Sequence, residues 1–227
     1  AFFYMGISSR ERITKIDLYS LVPSDCSAVF ETNDLTTLIK EIKNASIGKE
    51  LPSLGLSRIA NDLQVHFDAL TMSAPHGLSS RMNKMLISFH SPGTELDQVI
   101  YFCTTPGDEK WLEQQIRKNR PIDFPIKTVS YKDKEIQICP MGGDVFLCYY
   151  KSAGFVVASY SKRLIEQVID TQISGKSLLS DPCFLLSKDH KSFNSIASLH
   201  LTMKQMGWSE LDLKFGHDAI YLSGTTM

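Results

Sequence analysis

Charge of one sign is missing from this chain: 24 Lys and Arg stand against 25 Asp and Glu, and the two signs are interspersed rather than gathered in blocks. Neutralising a phosphate backbone takes a clustered basic surface, so nucleic acid is not an expected partner. Long apolar runs are missing too, and no segment approaches the roughly 20 apolar residues of a membrane span. Cysteine is sparse and scattered. Cys26, Cys103, Cys139, Cys148 and Cys183 form no C-x-x-C pair and no dense framework, and their odd number leaves at least one thiol free. The motifs that mark common chemistries are absent as well: there is no G-x-S-x-G elbow, phosphate-binding glycine loop, dinucleotide fingerprint or H-E-x-x-H. That removes the direct arguments for an enzyme without excluding one.

What is present is an ordinary globular composition, 43% hydrophobic and 22% charged over 227 residues, enough for one large domain or two small ones with a sizeable core. The organising stretch is Ile126 to Lys162. Three turn signals divide it into β-rich runs at Thr128 to Tyr131, Glu135 to Cys139, Asp144 to Tyr150 and Phe155 to Tyr160. Connections this short allow only antiparallel pairing, which makes the stretch a β-meander. A two-residue turn on Gly142 and Gly143 sets Cys139 opposite Phe146, out of line with Cys148, so buried free thiols are expected there rather than a disulfide.

Upstream, Ser27 to Thr32 reads as a strand. Asn33 or Asp34 then caps a helix over Leu35 to Ala45, whose Leu35, Leu38, Ile39 and Ile42 share one face. A second helix is expected from about Leu56 to Met72, followed by strands over Met82 to His90 and Gln98 to Thr104. Those two are so continuously apolar that both sides of the sheet must be covered there. A third helix begins near Pro106, with Asp108 and Glu109 at its positive end. A fourth runs from Lys162 to Ile173, with Leu164, Ile165, Val168 and Ile169 on one stripe, and stops at Ser174-Gly175. A short amphipathic segment follows Asp181-Pro182, and strands over Ile196 to Met203, Trp208 to Phe215 and Ala219 to Gly224 close the chain. The fold class expected is α+β, an antiparallel sheet with amphipathic helices packed on it. Ser195 to Met203 echoes the strand beginning at Ser27, which raises a repeated architecture: 21–194 as the α+β domain, and 195–227 as either the start of a second unit or the closing strands of the first.

Six histidines, His66, His76, His90, His190, His200 and His217, show no spacing that converges on a metal. Alternation puts His200 with Ser198 and Thr202 on a polar strand face, as an exposed or hydrogen-bonded side chain. Nothing near Cys26 points to a lowered thiol pKa, so no nucleophile pair with a histidine is expected. Asp144 after Gly142-Gly143 is explained by a hairpin turn, and the aromatic run Tyr149, Tyr150, Phe155 and Tyr160 by sheet packing rather than a ligand platform. No residue is assigned as catalytic, cofactor-binding or metal-ligating, and no cofactor is expected.

The stretch Val22-Pro23-Ser24-Asp25-Cys26-Ser27-Ala28-Val29-Phe30-Glu31 resembles the opening of a family of uncharacterised Bacteroidetes cell-envelope proteins, in which the first strand follows a Pro-x-Asp-x-x-x-Ala-like turn. Phe124-Pro125, Tyr131, Ile136 and Ile138, then Phe155 to Ser159 and Leu164-Ile165-Glu166, are similar to that family's strand–strand–helix block. Cys26 departs from the small residue expected at its position. The resemblance implies a longer protein with one membrane anchor before Ala1 and a periplasmic body continuing past Met227, and it implies no activity. Residues 1–20, opening Ala-Phe-Phe-Tyr-Met-Gly, fit the end of such an anchor or a short terminal element packed on the domain.

The function expected is therefore a non-catalytic cell-envelope scaffold or binding domain on the periplasmic side, with a protein partner there and contact with a membrane only through a segment before residue 1. The alternative is a hydrolase or ligand-processing enzyme, cytoplasmic or not, with a site assembled from distant residues. Asp144, His66 and Cys103 are its candidates.

Overall fold

The structure, a computed structural model, describes residues 16–44, 82, 84–90, 98–105, 107–118, 125–188, 195–203, 207–216 and 219–226. Their fold is α+β. Ten strands form one antiparallel sheet: β1 Cys26–Thr32, β2 Met85–His90, β3 Gln98–Cys103, β4 Lys127–Tyr131, β5 Lys134–Gly142, β6 Val145–Ser152, β7 Phe155–Ser159, β8 Ala197–Met203, β9 Gly207–Phe215 and β10 Ile220–Thr226. The order across the sheet is β10-β9-β8-β1-β2-β3-β7-β6-β5-β4. Four helices belong to the described residues: α1 Leu35–Asn44, α2 Asp108–Lys118, α3 Lys162–Ser174 and α4 Pro182–Lys188. The expected helix over Leu56 to Met72 and the segment 1–15 lie outside them.

The expected meander is β4 to β7, each strand paired with the next. Lys132 and Asp133 turn β4 into β5, both with positive φ, the backbone that matches the twist of a two-residue hairpin. The next turn differs from expectation. Gly142 pairs with Val145, so Gly143-Asp144 makes the turn, and a register shift between Pro140 and Gly142 sets Cys139 opposite Leu147 instead of Phe146. Cys148 pairs with Ile138, so by strand alternation the two sulfurs lie on opposite faces of the sheet. All five cysteines are free thiols; Cys26, Cys139 and Cys148 are buried, whereas Cys183 is exposed.

Local signals set the helix ends. The Asp34 carboxylate accepts the Thr37 backbone N–H at 2.9 Å and so caps α1. At α2 the Thr105 N–H donates to the Asp108 carboxylate at 2.7 Å, as in a capping box. Gly175, with φ 70°, ends α3, and its N–H bonds the Thr171 carbonyl.

Both faces of the sheet are covered. On one, α3, α4 and the 3-10 turns Leu18–Leu21 and Leu178–Ser180 pack Leu164, Ile165, Val168, Ile169, Leu18 and Phe184 against Val29, Tyr101, Val157 and Tyr150. On the other, Leu35 and Leu38 of α1 meet Met85, Ile87, Phe102 and Ala197, and Leu112 of α2 meets Met82 and Val156. Two-sided cover is the reason β2 and β3 read as continuous apolar runs. Tyr149, Tyr150 and Phe155 of the aromatic run are buried in these layers as packing, and Tyr160 is half-buried.

β1 and β8, the two strands of the sequence echo, lie side by side and antiparallel. Outward from this pair the order is β2, β3 on one side and β9, β10 on the other. β1 leads into α1 before β2, whereas only residues 204–206 separate β8 from β9. The strands from 197 onward thus extend the same sheet.

Candidate functional site

Antiparallel partners share a face, so the register defines rows of side chains across the sheet. On the face under α3 and α4, one row runs Ser88, Val29, His200, Glu210, Thr225 from β2 to β10, and the next runs Leu86, Glu31, Ser198, Asp212, Ser223. Polar groups on this face fall into two clusters, one at each end of these rows.

The first is a chain of hydrogen bonds. Asp25 Oδ1 lies 3.3 Å from His90 Nδ1, and His90 Nε2 lies 2.8 Å from Ser88 Oγ. Ser88 Oγ is also 3.0 Å from the Tyr101 hydroxyl. Gln167 of α3 donates to the second Asp25 oxygen at 3.4 Å. Carboxylate, imidazole and hydroxyl in this order are the parts of a serine nucleophile and its base. Access is what differs. Ser88 and Tyr101 are 0% exposed, whereas the Asp25 side chain is 59% exposed. The hydroxyl that would attack points into the core, and the carboxylate that would be buried faces solvent. As placed, the chain satisfies polar groups inside the sheet and ties α3 to it. Cys26, paired with His90 in register, is no nucleophile either: burial, with Asp25 beside it, pushes its thiol up to about 12.

The second cluster lies where β1, β8 and β9 meet the 3-10 turn Leu18–Leu21 and α4. Glu31, Ser198, His200, Glu210 and Asp212 are all buried there. His200 Nδ1 lies 3.2 Å from Ser187 Oγ of α4, and the ring packs among Tyr19 and Phe184. Its expected neighbours Ser198 and Thr202 do share its face, but α4 covers it, so His200 is a core histidine and not an exposed one. Trp208 donates its indole N–H to Asp181 at 2.9 Å, fixing the start of α4 to β9. Burial, and next to it Glu31, hold the Tyr19 phenol well above its ordinary pKa. Lys188 of α4 lies 4.4 Å over the Tyr19 ring and 2.8 Å from Asp17.

Beyond α4 the polar rows emerge in a recess of about 240 Å³ lined by Glu210, Asp212, Ser223, Gly224 and Thr225. β10 forms its outer wall and the edge of the sheet. Tyr221 and Leu222 are 62% and 56% exposed, and Ser223 to Thr226 are exposed as well. The opposite edge, β4, carries Lys127, and Lys132 at its turn pairs with Asp170 of α3 at 2.8 Å.

No protein-family model matches the chain, and no curated protein sequence matches it. Among solved structures, those with a distant likeness include crystal forms I and III of TP0453, each 9% identical, covering 88% of this chain and 74% of that one, with TM-scores of 0.44 and 0.45. Among the described residues no helix is long and apolar enough to cross a membrane, and no group of three or more His, Cys, Asp or Glu is placed to hold a metal ion.

Of the candidates for an assembled enzyme site, Asp144 and Cys103 are not brought together. Asp144 sits exposed in the β5–β6 turn. Cys103 ends β3, paired with Phe155, which pairs with Ser152 at the far end of β6. His66 lies outside the described residues. The pairs that do share a site were legible as i, i+2 spacings in strands, Ser88 with His90 and Glu210 with Asp212. Asp25 and Tyr101 join them only through the fold.

Proposed function

We propose that this chain is a non-catalytic scaffold or binding domain of the bacterial cell envelope, held on the periplasmic side by a membrane anchor preceding residue 1. The observation that carries the binding role is β10, an exposed, uncharged edge strand beside a polar recess, at the end of a sheet whose other edge is guarded by lysines. The envelope setting rests on the family resemblance of Val22 to Glu31 and the apolar opening at Ala1 to Gly6. Among the described residues, the buried hydroxyl of Ser88 favours structure over turnover in the Asp25–His90–Ser88 constellation.

The test is photocrosslinking in intact cells, with a photoreactive residue at Tyr221 or at exposed Glu135 as control, followed by membrane fractionation. The expected result is recovery in the envelope fraction with a reproducible adduct from position 221. Recovery as a soluble, adduct-free protein defeats the reading. The hydrolase alternative has its own probe: covalent labelling of Ser88 by a fluorophosphonate, lost in Ser88→Ala, would establish it.

A further inference from the structure

We propose that the free edge of β10 accepts an extended peptide segment as an eleventh strand, antiparallel to β10, and that this segment carries a lysine or arginine placed over the Glu210–Asp212 recess. The inference rests on the binding role proposed above and names the chemistry of the partner. Three independent features lead to it.

The first is the hydrogen bonding of β10 itself. Gly216 N–H bonds the Ala219 carbonyl at 2.8 Å across the β9–β10 turn. From that pair outward, hydrogen-bonded and non-hydrogen-bonded pairs alternate. Tyr221, Ser223 and Thr225 therefore face β9 with their backbone groups, while Ile220, Leu222, Gly224 and Thr226 direct theirs away from the sheet. Among the described residues nothing pairs with them. Strand addition supplies main-chain hydrogen bonds to such an edge.

The second is the matching order about the β1–β8 pair. β3 holds the place that β10 holds on the other side, and the outer edge of β3 is paired antiparallel with β7. The sheet thus already contains the completed form of the edge that β10 presents.

The third is the sign of the recess. The strand itself, Ile220–Thr226, has no charge, whereas the wall behind it holds Glu210 and Asp212 with the Ser223 and Thr225 hydroxyls. Tyr221, Ser223 and Thr225 share that face, so every second side chain of an added strand leans toward it. A cationic side chain at the middle position meets carboxylates there, and an acidic one is repelled. A second copy of β10 would bring no cation.

The test uses the whole chain and two capped heptapeptides, Thr-Val-Thr-Lys-Thr-Val-Thr and its version with glutamate in place of lysine. Binding is read by fluorescence anisotropy, and the site by amide hydrogen exchange. The lysine peptide is expected to bind at least about tenfold tighter than the glutamate peptide, with exchange slowed at Leu222 and Gly224. Leu222→Pro removes one outward N–H and is expected to abolish binding. Ser223→Lys, which sets a cation in the recess opposite Asp212, does so by charge should the proline disturb β10. Glu210→Gln is expected to reduce the preference for lysine. Equal binding of both peptides, or unchanged exchange along β10, overturns the proposal. Dimerisation through β10 overturns it as well, by making a second copy the occupant. Failure with both peptides while position 221 still crosslinks to an envelope protein removes the basic-strand inference alone, whereas absence of envelope adducts removes the binding role itself.

Discussion

The meander half of the sheet and the β8–β10 half use the same antiparallel pairing and differ in what fills the face beneath the helices. A single row shows the change. From β4 inward it runs Val129, Ile136, Tyr150, Val157, Tyr101, Leu86, and from β1 outward Glu31, Ser198, Asp212, Ser223. Five of the first six are buried under an apolar helix stripe. In the last four, polar groups are buried beside β1 and β8 and surface at β10, where no helix of the described residues lies over them. Burying a polar group costs energy unless it is hydrogen-bonded, so the second half trades stability for specific chemistry near an open edge.

Variants can sharpen that contrast. The largest effect is expected in the bridge between the halves, where the Phe184 ring contacts Tyr19, His200 and Trp208 at 5.2, 5.3 and 5.1 Å. Phe184→Ala should cost about 3–5 kcal/mol in urea unfolding, at least as much as Ile165→Ala under the meander. A much smaller loss for Phe184→Ala would mean that α4 is dispensable to the polar half. Gly224→Ala should act locally, because a Cβ there collides with the Glu210 carbonyl oxygen. Its expected signature is lost exchange protection along β10 with β5 and β6 unchanged; global unfolding would show β10 to be integral to the core.

Ser88→Ala removes the hydroxyl partner of the buried Tyr101 O–H and should cost about 1–3 kcal/mol. If the stability is unchanged, the Asp25–His90–Ser88 chain has no structural role and the hydrolase alternative regains weight. The Cys26 thiol gives a pH test. Its pKa is raised from 9.0 to about 12 in the fold, so below pH 9 it is protonated in both states and its contribution is fully present. Between about pH 9 and 12 only the unfolded chain releases the proton, and stability falls with a slope of about 1.4 kcal/mol per pH unit from this group. Cys148, pushed up by burial to about 11, adds to the same trend. Urea titrations of Cys26→Ala should show a shallower decline, and an unchanged slope would mean that solvent reaches the thiol. The smallest effect belongs to Lys132→Ala, which removes an exposed pair with Asp170 and should leave the urea midpoint unmoved. A measurable shift would mark the β4 edge as a stabilising contact as well as a guard.

Local pattern made much of this fold legible. Alternation with short turns identified the meander, the apolar stripe of Leu164, Ile165, Val168 and Ile169 identified α3, and Gly175 its end. The continuous apolar character of β2 and β3 called for the double cover that α1, α2 and α3 supply. Where prediction slipped, a competing local choice had won: the Gly142 bulge moved the β5–β6 register by one residue, and α4 roofed a polar strand face that alternation alone would leave wet. Hydrophobic period and turn chemistry are encoded within a few neighbouring residues, and these the sequence by itself determined: α+β class, antiparallel pairing and most element boundaries. Tertiary structure alone decided which distant residues meet. Asp25 reaches His90 across 65 positions, and Glu31, His200 and Glu210 converge because β8 pairs with β1 rather than beginning a separate sheet. Strand order and edge exposure depend on long-range pairing, for which no short stretch of chain carries a signal, and so the open β10 edge and its acidic recess became visible only in the assembled sheet.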